Sequence, residues 1–346
     1  MKAVLISEHG SYDKLEFVDV EKPSIKPNEV LIRVATTSIN HLDLWVRQGV
    51  PGHKFPLPMI PGCDIAGTVD QIGELVKNVR PGDRVAVMPG FADPTSPEAL
   101  GGEEQLARSY GIFGETRNGG CAEFVDAPAA NLLPMPDDMS FENAAAVPLT
   151  FLTAWSMLVS KCDFRAGESV LIHAAGSGVS VAAIQIAKLI GAERIFVTAG
   201  SDEKIEKAKS LGADVGINYN KDDFVAVVRK ETGKRGVDVV IDHVGPDTFT
   251  GSLSCLRKGG RLATCGATTG GETEVNLRQI FFKSLSILGS TMGPKADLLK
   301  AWKLVCQGKL QPVVDRVFPV REIAAAHEYV NERKAFGKVV LDIREW

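Results

Sequence analysis

Read for the spacing of hydrophobic and polar positions, the chain changes period once, near residue 140. Before that point the apolar residues fall in short β-branched runs: VLIRVATTSI (30–39), IAGTVDQIG (65–73), RVAVM (84–88) and CAEFVDA (121–127). Pro-Gly, Pro-Asn or Gly-Asp pairs bound them, the punctuation of an antiparallel or barrel-like domain. Residues 89–120 lack apolar periodicity and read as a long surface loop or lobe. Ser140 with Asn143, followed by AAAVPLTFLTAWSMLV, predicts a helix broken near Pro148, where proline removes a backbone donor and crowds the preceding turn. After Arg165 the pattern alternates: SVLIHA then VAAIQIAKLIG, RIFVTAG then DEKIEKAKSLG, DVGINY then FVAVVRKETG, VDVVIDHVG then TFTGSLSCLRKGG, RLATCGA, and finally SLSILGSTM. Strands that are apolar on both faces and alternate with amphipathic helices predict a parallel doubly wound sheet, hence an α/β fold. The run FGKVVLDI stands apart as a strand after a helix and is expected to return to the first domain.

Composition changes this picture little. A chain of 346 residues exceeds the size at which one core keeps growing, so two domains are expected. Its 34 glycines gather after apolar runs, where α/β proteins place them. The formal charge is −4 with no basic stripe, so neither nucleic acid nor an anionic membrane is an expected partner. The N-terminal MKAVLISEHG is too short an apolar run for a secretion signal, no stretch approaches the ~20 apolar residues of a spanning helix, and a cytosolic location is expected. Cys63, Cys121, Cys162, Cys255, Cys265 and Cys306 show no C-x-x-C or C-x-x-H spacing and read as reduced, mostly buried thiols.

Candidate chemistry begins after the strand SVLIHA. Ala175, Gly176, Ser177, Gly178, Val179 and Ser180 form a run of mostly small residues opening a helix. A dinucleotide turn needs small residues for the tight bend, the approach to a pyrophosphate and the helix–strand contact; here those positions are Ala175, Ser177 and Ser180. None is glycine, yet the helix N-terminus still offers free N–H groups to phosphate. The next strand ends in Gly200 and Ser201 rather than in an acid, which leaves room for a 2′-phosphate, and Lys204 follows.

With this turn go the stretches MKAVLI, Pro61-Gly62-Cys63-Asp64 with Gly67, Arg80-Pro81-Gly82-Asp83-Arg84-Val85, AAAVPLTFLTAW, AAGSGVS, LGAD…INY and Gly337-Lys338-Val339-Val340-Leu341. By these the chain resembles, over essentially its whole length, the medium-chain dehydrogenase/reductase superfamily. Within the superfamily it is similar to the quinone oxidoreductase (zeta-crystallin-like) branch and to proteins labelled zinc-containing alcohol dehydrogenases. The resemblance implies a GroES-like, β-barrel-type catalytic domain over 1–150 and 292–346, and a Rossmann doubly wound domain over 151–291.

By the same resemblance, the catalytic zinc ligands of the zinc-dependent members fall on Asn40, Cys63 and Leu149, and a proton-relay hydroxyl on Leu42, so no zinc is expected. The four-cysteine structural-zinc lobe falls on 89–120, which lacks cysteine. Asp43 and Asp64 match carboxylates near the metal in zinc enzymes, and hydrogen bonding accounts for them better than a hard ion. The quinone-reductase pattern I-N-x-x-D matches Ile39 to Asp43, and its phosphate-binding Lys and Tyr match Lys204 and Tyr219, which favours NADPH with NADH as the alternative. His41, Thr153, Val244, Gly266, Ala267 and Ser290 fall where the family lines its cofactor.

The activity implied is hydride transfer to a small-molecule acceptor, a quinone, enone or carbonyl, with Asn40 binding the acceptor carbonyl and with Asp43 and Cys63 in the same site. Two other readings compete: an alcohol or carbonyl dehydrogenase with a rebuilt metal site, and an NADPH-binding structural or RNA-binding relative. His173 and His243 sit at strand ends, where either cofactor contact or a satisfied core histidine is expected; His9, His53 and His327 have no constellation. The run 286–291 fits a strand that pairs across a two-fold axis, so a homodimer or homotetramer is expected.

Overall fold

The computed structural model describes all residues from Met1 to Trp346. They form two compact units: Met1–Leu149 with Pro294–Gly308 and Pro312–Trp346, and Thr150–Gly293 with Lys309–Gln311. The division falls within two residues of the boundaries expected, except that residues 309–311 belong with the second unit.

After a short hairpin, Lys2–Leu5 with Glu16–Asp19, the chain runs through β1 (Glu29–Ile39), α1 (His41–Gln48), β2 (Asp64–Ile72), β3 (Arg84–Val87), β4 (Phe124–Pro128) and β5 (Leu132–Pro134). Residues 89–120 hold only two-residue strands and single helical turns. A helical turn at Phe141–Ala145 is separated from α2 (Pro148–Trp155) at the proline, and the Ser140 hydroxyl caps it by accepting from Asn143 N at 3.1 Å.

Next come β6 (Ser169–Ile172), α3 (Gly178–Ile190), β7 (Arg194–Ala199), α4 (Asp202–Leu211), β8 (Val215–Asn218), α5 (Phe224–Glu231), β9 (Val237–Ile241), α6 (Pro246–Cys255), β10 (Leu256–Thr264), α7 (Leu277–Lys283) and β11 (Ser286–Gly289). All six strands are parallel, in the order β8-β7-β6-β9-β10-β11. Counted from β6 this is 3-2-1-4-5-6, the Rossmann order, and it reverses between β6 and β9. One difference from the hydrophobic spacing is instructive. The helix expected over TFTGSLSCLRKGG stops at Cys255, and Leu256 to Gly260 enter the sheet instead. Leu256 pairs with Val237 and Arg261 with Val239, so the intervening residues bulge, and Gly259 supplies the positive φ of 71° that the bulge requires.

The chain then returns to the first unit with α8 (Lys295–Cys306), β12 (Val314–Pro319), α9 (Ile323–Asn331) and β13 (Lys338–Asp342). The isolated strand predicted at the end is β13, antiparallel to β1 with Val339 opposite Ile39 and Leu341 opposite Thr37. The sheet order is β12-β13-β1-β2-β3-β5, with β4 also on β1. Alternate residues of several strands meet in one core that includes Val30, Ile32, Val34, Ile65, Val69, Val85, Val87, Val339 and Leu341. Each such burial stabilises the unit by about 1.5–3 kcal/mol before entropy is counted. Gly67 on β2 passes so close to β1 that a Cβ there would lie 2.2 Å from the Arg33 carbonyl oxygen.

Candidate active site

In the first unit a buried polar cluster forms where β1 gives way to α1. Asn40 ends the strand and caps the helix, and its backbone N–H donates to Asp43 Oδ2 at 2.7 Å. Asp43 Oδ1 accepts from Gly62 N at 2.9 Å, so both carboxylate oxygens brace backbone. Burial, partly offset by these bonds, pushes the Asp43 carboxyl up to about 6. Asp43 therefore shapes the site by fixing the Asn40 and Gly62 backbones.

Asp64, at the start of β2, is fully buried. Its Oδ1 accepts from Leu149 N at 2.8 Å; its Oδ2 accepts from Ser38 Oγ at 3.0 Å and Asn40 Nδ2 at 2.8 Å. The countercharge is Lys338 from β13, whose Nζ lies 3.1 Å from Asp64 Oδ2. The same ammonium donates to Asn40 Oδ1 at 2.5 Å and to the Ile39 carbonyl at 3.1 Å. Lys338 thereby fixes the Asn40 amide: its oxygen faces the ammonium, and its Nδ2 faces Asp64 and, at 3.2 Å, Cys63 Sγ. Burial and then the charges of Asp64 and Asp43 raise the Cys63 thiol well above its ordinary range, so it stays protonated and is a poor nucleophile. Tyr110 is also pushed upward, chiefly by burial, and lies near enough to feel Cys63. His41 opens α1, and its ring lies 6.5 Å from that of Trp45. Nowhere do three or more His, Cys, Asp or Glu side chains gather as a metal-holding group.

The family resemblance implies Asn40, Asp43 and Cys63 in one site, and the three are close together here, but Lys338, though in a stretch that carries the likeness, has no role by that resemblance. A signal existed: two acids in apolar surroundings need a cation, and Lys338 opens an otherwise apolar strand.

In the second unit, Ser177 is the N-cap of α3, so the first-turn N–H groups of the helix belong to Gly178, Val179 and Ser180. The left-handed residue of this turn is Ala174, with φ 51°, one position before the Ala175 singled out for the tight bend. Ala175 N and Ala174 N are tied to Thr198 on β7, to its carbonyl at 2.8 Å and its hydroxyl at 3.2 Å. Both histidines have hydroxyl partners, Thr198 and Ser252 for the buried His173 and Ser180 for the half-buried His243. Thr153 and Ser290 are buried in this unit, with Ser290 Oγ 3.5 Å from Ser156 Oγ. Gly245 and Ala267 approach closely, a Cβ on Gly245 lying 3.2 Å from Ala267 Cα, while Gly266 packs beside His243.

At the end of β7, Gly200 lies against Tyr219: a Cβ at Gly200 would be 2.7 Å from the tyrosine hydroxyl. Ser201 caps α4 by accepting from Lys204 N at 3.3 Å. The nearby acid, Asp202, is drawn towards β8 by Asn218 Nδ2 at 2.7 Å and Lys221 Nζ at 2.5 Å, partners that hold its carboxyl below the usual range. The first turn of α4 thus carries Lys204 with two acids, Asp202 paired with Lys221 and Glu203 with Lys207, while Tyr219 stays exposed against Gly200.

Comparison with known proteins bears on the whole chain. Residues 26–137 match the family model "Alcohol dehydrogenase GroES-like domain", and residues 178–307 match "Zinc-binding dehydrogenase". The quinone oxidoreductase of Sus scrofa is 31% identical over 99% of this chain and 97% of its own length. A zinc-type alcohol dehydrogenase-like protein of Schizosaccharomyces pombe is 32% identical over 99% of each chain. Among solved structures, one described as an NAD-dependent alcohol dehydrogenase is 47% identical, with a TM-score of 0.95 and 99% coverage of both chains. A cobalt- and zinc-bound thermostable alcohol dehydrogenase from Pyrobaculum aerophilum is 31% identical, with a TM-score of 0.89 and 99% coverage of both.

Proposed function

The chain belongs to the medium-chain dehydrogenase/reductase superfamily and is an NAD(P)H-dependent oxidoreductase; from that premise we propose that it passes hydride from NADPH to a quinone or an activated enone or carbonyl, without zinc. The observation that carries this reading is the set of partners around the Asn40 amide. A zinc at the family's catalytic position would need Asn40, Cys63 and Leu149. Leu149 has no ligand atom, the Asn40 oxygen already accepts from the Lys338 ammonium, and one buried thiol is left. A doubly charged ion among these groups lacks ligands and meets a cation, so the residues do not fit it.

When bound, a reduced nicotinamide supplies hydride at C4. Asn40 Nδ2 then donates to the acceptor's carbonyl oxygen in place of its long contact to Cys63 and stabilises the developing enolate, an effect worth about 3 kcal/mol. Asp64 and Lys338 on either side of the amide keep the N–H, rather than the oxygen, on the acceptor's side. The proton comes from water. Lys204 and Tyr219 support NADPH, by charge for a 2′-phosphate and by an exposed ring beside Gly200. NADH is the second reading, favoured by the likeness to an NAD-dependent alcohol dehydrogenase.

Steady-state oxidation of NADPH and NADH against quinone, enone, aldehyde and ketone acceptors, with and without chelator, tests the proposal. Turnover with quinone or enone is expected to survive chelation. Asn40→Leu, close in volume but without an N–H and leaving Asp64 paired with Lys338, is expected to keep cofactor Kd, which shows that it folds, and to lose about 100-fold in kcat. Loss of turnover on chelation, or an undiminished Asn40→Leu enzyme, overturns the reading.

The proposal includes a homodimer. β11 is the free edge of the parallel sheet, and beside it Leu277, Phe281 and Phe282 on α7 are 71%, 61% and 69% exposed. An apolar patch at an unpaired edge favours pairing with a second copy about a two-fold axis.

A further inference from the structure

A line of buried side chains runs beneath the dinucleotide turn, at the point where the strand order of the parallel sheet reverses. His173, following β6, is fully buried; its Nδ1 lies 3.0 Å from Thr198 Oγ1 and its Nε2 2.9 Å from Ser252 Oγ. Ser252 Oγ donates to Asp242 Oδ2 at 2.7 Å. With its proton committed there, Ser252 can only accept from His173, which places the imidazole proton on Nε2. His173 Nδ1 is then an acceptor and takes the Thr198 hydroxyl proton. Thr198 Oγ1 in turn accepts from Ala174 N, the left-handed residue of the turn.

Every hydrogen in the line therefore has one direction, from the Ala174 amide to a buried carboxylate. Asp242 ends it and is itself saturated: Oδ1 accepts from Val244 N at 3.0 Å and Gly245 N at 3.2 Å, and Thr248 Oγ1 lies 2.9 and 2.8 Å from the two oxygens. A second link closes the arrangement. Ser180 Oγ, in the first turn of α3, donates to the His173 carbonyl at 2.7 Å and accepts from His243 Nε2 at 2.8 Å.

We infer that the line Thr198–His173–Ser252–Asp242 positions the cofactor's pyrophosphate indirectly, by holding the turn after β6 and the loop after β9 in register with each other. It does for this turn what glycines do in a G-x-G-x-x-G turn. A non-glycine residue in the left-handed region costs roughly 1–2 kcal/mol, and the Thr198 hydroxyl offsets that cost by fixing the Ala174 N–H. These are positioning residues; none is required to touch the cofactor. The inference rests on the reading that the pyrophosphate sits at the N-terminus of α3.

Three substitutions test it, with cofactor Kd from fluorescence titration and Tm from calorimetry on the whole chain. Thr198→Val keeps the shape and removes the hydroxyl; it is expected to weaken NADPH and NADH equally, by about tenfold each, since both carry the pyrophosphate. Ser252→Ala, at the far end of the line, is expected to move both constants in the same direction, and Thr198→Ser is expected to restore them. A Thr198→Val or Ser252→Ala protein with lowered Tm but both Kd values within twofold of the parent makes the line a structural brace only and overturns the inference. Ser177→Glu, which sets a carboxylate at the helix N-cap, separates the two levels. If it leaves Kd unchanged, the pyrophosphate lies elsewhere and the reading of the turn fails. If it weakens binding while Thr198→Val does not, only the present inference fails.

Discussion

His327, on α9, is the single residue with the clearest acid signature. Burial, and after it the charge of Arg47 nearby, drops its imidazole to about 3, and burial drops His243 to about 4. Between these values and the ordinary 6.5, the unfolded chain binds protons that the fold refuses, so stability falls as pH falls below about 6.5 and nothing is lost above it. Each histidine contributes a slope of about 1.4 kcal/mol per pH unit in that window. In urea titrations, His327→Gln is expected to narrow the gap between the pH 7 and pH 5 midpoints; an unchanged gap refutes the assignment. The sequence offered no hint of this, because a lone histidine in a helix looks the same whether buried or exposed. Asn40, Asp43 and Cys63 were legible for the opposite reason. They lie on two short segments that carry the family likeness, whereas Lys338 is nearly three hundred residues from the amide it orients, and Thr198 and Ser252 meet His173, with Asp242 behind Ser252, from three further stretches of chain.

At the scale of elements, β1 and β2 hold the first unit together, and their closeness at Gly67 is a steric requirement. A methyl group 2.2 Å from the Arg33 carbonyl oxygen has nowhere to go except by parting the strands. Gly67→Ala is therefore expected to cost about 2 kcal/mol or more and to lower Tm; a Tm within a degree of the parent contradicts the contact. The parallel sheet was readable because strands buried on both faces leave long apolar runs. The run after α6 was not: LRKGG is polar and glycine-rich, as helix ends are, and only pairing with β9 draws it into β10. Strand β12 was missed for a similar reason, since Asp315 and Arg316 interrupt its apolar pattern and it is held by pairing with β13.

For the whole molecule, the exposed edge of the second unit is the feature that bears on assembly. Phe282→Glu on α7 places charge within the patch beside β11 without touching either polar cluster. Analytical ultracentrifugation is expected to show the wild type as a dimer or tetramer and Phe282→Glu shifted towards monomer; a monomeric wild type disposes of the proposed interface. No helix of the molecule is long and apolar enough to cross a membrane.

The placement of β13 has a consequence for how the protein is made. The second unit is almost contiguous, from Thr150 to Gly293, and can close as that stretch leaves the ribosome. The first unit waits: its central strand β1 lacks its β13 partner, and Asp64 lacks the Lys338 ammonium, until synthesis has run a further three hundred residues or so. Through most of translation the half-built sheet thus carries an open strand edge and an uncompensated carboxylate. That charge discourages premature burial of the site, and arrival of the last strand supplies edge pairing and countercharge in one step.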